Sequence, residues 1–117
     1  MSDPRAAAVG LFAGGDPEVL ATYDRLLAVL TELGPFTEEP KKTSIHLVRA
    51  TSFAGVHPRK HSLTLNLRTD RPFASTRIAR VEQVSKNRYH NEIKLEQPAD
   101  VDAELVGWLR EAYTLGA

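Results

Sequence analysis

Cysteine is absent from the 117 residues, which excludes a disulfide framework, thiolate catalysis, iron–sulfur ligation and any thiolate zinc site. Aromatic residues are scarce at 7%, and single-strand binders need aromatics projecting from a binding face on which bases can stack. No apolar run approaches the ~20 residues of a membrane span, because charges interrupt each one. Net charge is lacking too: 15 Lys and Arg balance 15 Asp and Glu, so the whole-chain balance names no partner. What is present, 42% hydrophobic and 26% charged residues, is ordinary globular composition, and the length suits one domain with its own core.

Asp16-Pro17 puts a carboxylate at a cap position and a proline at the first helical position, where a missing N–H costs nothing. Val19, Leu20, Tyr23, Leu26, Leu27, Leu30 and Leu33 then recur at helical spacing until Gly34-Pro35, so the spacing predicts an amphipathic helix over 17–33. A second helix is expected near the C-terminus, with Asp100 as cap and Val101, Leu105, Trp108, Leu109 and Ala112 on one stripe, stopping at Gly116.

Between these helices the period is two. Ile45 and Leu47, then Leu63, Leu65 and Leu67, then Tyr89, Ile93 and Leu95 alternate with polar residues and read as half-buried strands. Weaker strand signals cover 36–39, 53–57 and 78–84. The expected fold is α+β in two layers, with N-terminal and C-terminal helices on one face of a mostly antiparallel sheet of five or six strands. Leu26, Leu30, Leu65 and Trp108 belong to the expected core. Residues 16–117 form the domain, and 1–15 are expected to be a partly mobile tail whose Leu11 and Phe12 dock on it. The apolar stretch over 6–13 is preceded by Asp3-Pro4 and only one basic residue, Arg5, a poor match to a signal peptide.

The charge is sorted along the chain. Residues 41–94 hold 12 basic residues against 3 acidic ones, a net of +9, and the rest of the chain carries −9. If the leucines of 63–67 face the helices, then Thr64, Asn66 and Arg68 face away, and by the same parity so do Arg88, His90 and Lys94. A polar, basic open face concentrates anions. The competing account is that acidic helices and a basic sheet neutralise one another, with Lys and Arg also guarding sheet edges.

Dedicated catalytic signatures are missing. No serine lies in a G-x-S-x-G elbow, Gly14-Gly15 lacks the features of a phosphate loop, and Asp70, Glu82 and Glu92 are too few for a paired-carboxylate hydrolase. The four histidines, His46, His57, His61 and His90, lie in the strand region; the His57–His61 segment reads as a turn with no accompanying carboxylate, and the surrounding positive charge repels a cation, so no metal site and no cofactor are expected. The remaining catalytic option is His90 as acid or base, with Lys42 and Arg59 holding a substrate anion.

Several stretches together carry a family likeness: Leu11-Phe-Ala-Gly-Gly-Asp16, Lys41-Lys-Thr-Ser-Ile45-His, Ser52-Phe-Ala-Gly-Val56-His-Pro-Arg-Lys60, Tyr89-His90 and the ending Trp108-Leu-Arg-Glu-Ala-Tyr113. On these the chain resembles a small bacterial domain of unknown function, some relatives of which are labelled predicted transport proteins and some of which are joined to nuclease-like domains. The resemblance covers most of the chain, and Lys42, Arg59 or Lys60, and His90 match its recurrent polar positions.

The sequence therefore leads to a noncatalytic binding module whose basic sheet face, built from Lys42, Arg59, Lys60, Arg68, Arg88 and His90, recognises an anionic ligand, nucleic acid included. The alternatives are a small enzyme centred on His90 and a protein-interaction or homodimerisation domain using an exposed strand edge. A cytoplasmic location and no membrane partner are expected.

Overall fold

Pro17 opens α2 (Pro17–Leu33) as its spacing predicts, and Gly34 closes it with φ +147°, its N–H donating to Leu30 O at 3.2 Å. A side chain at Gly34 would collide with the Tyr113 hydroxyl, which donates to Pro35 O at 2.9 Å. Glycine at this turn thus serves both the positive φ and the close approach of the C-terminal helix. Asp16 stands at the cap position, but its side chain makes no cap hydrogen bond; it lies 2.6 Å from His61 Nδ1 instead.

The computed structural model describes residues 4–117. Helix α1 (Pro4–Gly10) comes first, where the sequence suggested a tail; the alanine run Ala6 to Ala8 favours helix, and Ala8 packs into the core. Phe12 is buried as expected, with its ring 4.9 Å from that of Tyr23. The first three residues of the expected tail lie outside the described residues.

Among the described residues, six strands form one antiparallel sheet: β1 (Thr37–Pro40), β2 (Ile45–Val48), β3 (Ser52–Pro58), β4 (Leu63–Thr69), β5 (Ile78–Ser85) and β6 (Arg88–Leu95), in the order β1-β2-β3-β4-β6-β5. All three weak strand signals are therefore strands, shifted by a residue or so at their ends. The last helix is α3 (Ala103–Leu115), and its cap is Asp102, not Asp100: the Asp102 carboxylate accepts from Leu105 N–H at 3.0 Å. Asp100 ends a short 3-10 turn, Pro98–Asp100, where its carboxylate accepts from the N–H groups of Glu96 and Gln97.

Strand parity decides which face is covered. Ile45, Leu47, Ala54, Val56, Leu63, Leu65, Leu67, Ile93 and Leu95 are fully buried and share one apolar cluster with Tyr23, Leu26, Leu30, Leu105 and Leu109 of the helices. Burying this surface at ~25 cal/mol per Å² is the main stabilising contribution. Trp108, expected in the core, is only half-buried; its ring stacks on Phe73 at 5.1 Å, with the Arg77 guanidinium over it. The alternate residues His46, His57, Thr64, Asn66, Arg68, His90 and Glu92 lie on the opposite face and are only partly buried.

Candidate anion-binding face

The register fixes the layout of this open face. One row runs Glu39, His46, Gly55, Asn66, Glu92, Arg80 from β1 to β5, and the next carries Arg68, His90 and Glu82 on β4, β6 and β5. Gly55 lies between His46 and Asn66 and supplies no side chain to this row. The Leu-x-Leu-x-Leu pattern of β4 forces its leucines inward and leaves Asn66 and Arg68 outward.

Part of the basic excess is neutralised by the acidic helices. Arg71 forms a two-pronged pair with Glu111 at 2.9 Å, and Arg77 binds Asp102 and Glu104 at the start of α3. Lys41 meets Glu39, and Arg80 meets Glu82 and Glu92. Arg49 donates to Tyr113 O and lies over the Tyr113 ring. Among the described residues, Lys42, Arg59, Lys60, Arg68, Lys86, Arg88 and Lys94 make no ion pair. Every lysine and arginine that the sequence singled out is in this group.

These residues do not form one site. Arg68, Arg88 and His90 gather where β4 ends and β6 begins, whereas Lys42 lies in the β1–β2 turn and Arg59 and Lys60 in the β3–β4 turn, at the other end of the strands. At ~3.3 Å per residue, the length of β4 puts about 20 Å between the two ends. Arg59 and Lys60 line a surface cleft with Leu11 to Gly15 and Pro58, while the cleft containing His90 is lined by Asn66, Arg80, Glu82 and Glu92. Lys42 and Arg59 therefore do not share a pocket with His90.

Arg68 is the unusual member. Among the described residues its guanidinium has no salt-bridge or hydrogen-bond partner, its Nε is buried, and the only other buried side-chain atom without a partner is Asn66 Oδ1, two residues away. Native proteins leave few such groups, since each costs about 1–3 kcal/mol. Burial, and then the nearby Arg88 charge, lower the Arg68 pKa from its ordinary value. Burial, and then Arg68, also hold His46 and His90 below the usual histidine value. Both shifts favour the neutral imidazole, so the positive charge of the face comes from the arginines.

Beneath this corner Asn91 is fully buried and fully used: its Oδ1 accepts from Phe73 N–H at 2.9 Å, and its Nδ2 donates to Thr69 Oγ1 at 2.9 Å. It pins the end of β4 and so the strand on which Arg68 sits. Asn66 and His46 were legible as outward residues by parity but lacked any motif that would mark them as part of a site. Among the described residues, no group of three His, Asp or Glu side chains is placed to hold a metal ion, and no helix is long and apolar enough to cross a membrane.

A family model described as a domain of unknown function (DUF5655) matches residues 8–116. No curated protein and no solved structure matches the chain.

Proposed function

We propose, for a chain that belongs to the domain-of-unknown-function family DUF5655, that its open sheet face is a noncatalytic binding surface for an anionic ligand, centred on Arg68 with Arg88 and His90. The observation that carries this reading is the half-buried, unpartnered Arg68 guanidinium. A charge partly withheld from water and without any carboxylate is destabilising in the free protein, and a bound anion offsets that cost. Lys42, Arg59, Lys60 and Lys94, all without ion pairs, extend the positive field toward the far end and suit a longer polyanion. Relatives joined to nuclease-like domains, as the resemblance implies, make nucleic acid one natural source of such an anion.

The test is thermal-shift titration with sulfate, single-stranded and duplex DNA, and RNA at low and moderate salt. Midpoint rises that shrink with salt and are lost in Arg68→Glu, with the fold retained, are expected. Salt-insensitive responses, or responses unchanged in Arg68→Glu, contradict the proposal.

A second reading rests on β5. It is an edge strand of eight residues, and Val81 and Val84 are 40% and 47% exposed, an arrangement open to strand pairing with another chain. Concentration-dependent light scattering tests it: a mass that doubles supports edge-to-edge dimers, and a constant monomer mass excludes them.

A further inference from the structure

The two orphaned atoms of the open face are of opposite kinds. Arg68 Nε–H is a donor suited to an anionic oxygen, and Asn66 Oδ1 is an acceptor suited to a hydroxyl or amine hydrogen. They belong to alternate residues of one strand face, so their backbone positions are about 7 Å apart. The two residues line different small clefts. The first, about 100 Å³, has Arg68, Arg88, Asn87 and Ser52 in its wall, with Asp70 its one acidic residue. The second, about 60 Å³, joins Asn66 to His90, Glu82 and Glu92, with Arg80 paired to both carboxylates, so acceptors outnumber donors.

Neither cleft approaches the roughly 300 Å³ of a site that encloses a whole cofactor or drug-sized molecule. A ligand serving both must lie along the face, with a negative group at one end and hydrogen-bond donors at the other. Two arginines without carboxylate partners match a doubly charged group better than a single carboxylate, and the fork of a guanidinium fits phosphate oxygens in pairs.

Resting on the anion-face reading, we propose that the ligand is a phosphate monoester of a hydroxylated skeleton, a sugar phosphate. Its phosphate lies against Arg68 and Arg88, and a sugar hydroxyl donates to Asn66 Oδ1 on the side of Glu82 and Glu92. The same chemistry occurs in a free sugar phosphate and at the 5′-phosphorylated end of a nucleic-acid strand.

The experiment compares thermal midpoints of the full chain with inorganic phosphate, ribose, ribose 5-phosphate, and one oligonucleotide with and without a 5′-phosphate. Ribose 5-phosphate is expected to act at concentrations about tenfold below inorganic phosphate, the scale of one added hydrogen bond, with ribose inert. Asn66→Ala removes that advantage while keeping the phosphate response, and Arg68→Gln removes both. The Asn66 side-chain amide signals of the unmutated protein, followed by NMR, move with ribose 5-phosphate and not with phosphate, a readout independent of how the variants fold. An oligonucleotide response that requires the 5′-phosphate assigns the strand end as source; a ribose 5-phosphate response without it assigns the free sugar phosphate. Ribose 5-phosphate no better than phosphate, or an advantage that survives Asn66→Ala, overturns the proposal. If salt-sensitive polyanion binding persists in that case, the anion face stands and only the ligand class falls. With no response to any anion, both fall.

Discussion

Across the β4–β6 pair His90 stands directly opposite Arg68, and the row continues to Glu82 on β5. The guanidinium is thus flanked by an imidazole rather than a carboxylate. Burial first, and Arg68 second, depress the His90 pKa; Arg88 acts in the same direction, and Glu82 and Glu92 oppose it. His46 is depressed by burial, then Arg68, Lys41 and His57, against Glu39. In the unfolded chain both imidazoles take up protons near the ordinary value of ~6.5, whereas in the folded chain they do so only at lower pH. The unfolded state therefore holds more protons in that window, and stability falls as pH drops through it. The thermal midpoint is expected to decline from pH 7 to pH 5, less steeply in His46→Gln/His90→Gln, and sulfate is expected to reduce the decline. Parallel curves for the variant and the unmutated protein would contradict this.

Arg68→Met exchanges an unpartnered, half-buried cation for an apolar side chain of similar length. The expected result is a gain of about 1 kcal/mol, several degrees in Tm, together with loss of anion binding. Thermal unfolding with and without sulfate checks both halves, and a large drop in Tm would show that Arg68 supports the fold instead.

Asn91→Ala leaves Phe73 N–H and Thr69 Oγ1 without their buried partner. A cost of about 1–3 kcal/mol is expected in urea unfolding, with the β4–β5 connection losing hydrogen-exchange protection first. A loss confined to other parts of the chain would count against its pinning role.

Gly34→Ala meets both the positive φ and the Tyr113 hydroxyl. Destabilisation of roughly 1–3 kcal/mol is expected, and Tyr113→Phe should relieve only a part of it, since the backbone strain remains. Full rescue by Tyr113→Phe would show that φ is not the constraint.

Much of this fold was legible because hydrophobic period and punctuation agree. Pro17 and Gly34 bound α2 without ambiguity, and the leucines of β4 fix its inward face. Helix α1 is not legible in the sequence because seven residues give little periodicity, and its stability comes from packing, with Ala8 in the core and Arg5 bonded to Asp24 and Glu38. Asp100 and Asp102 are equally good caps by residue type; the 3-10 turn at Pro98 uses the first and leaves the second for α3, two residues later than the sequence suggests. Asn91 broke the parity rule, since a polar residue faces inward where Phe73 and Thr69 need partners. For the candidate site, parity put Arg68, Arg88 and His90 on one face, but sequence could not separate them from Lys42 and Arg59 along the strands. That separation depends on pairing register, which chain order does not encode.

The most direct test follows the Arg68 Nε–H cross-peak in a two-dimensional ¹H–¹⁵N spectrum during sulfate titration. The account predicts a saturable shift of that signal, accompanied by Arg88 and His90, with the backbone amides of Lys42, Arg59 and Lys60 moving little. An Arg68 signal that stays still, or shifts of equal size at both ends of the sheet, would contradict a built anion site at Arg68.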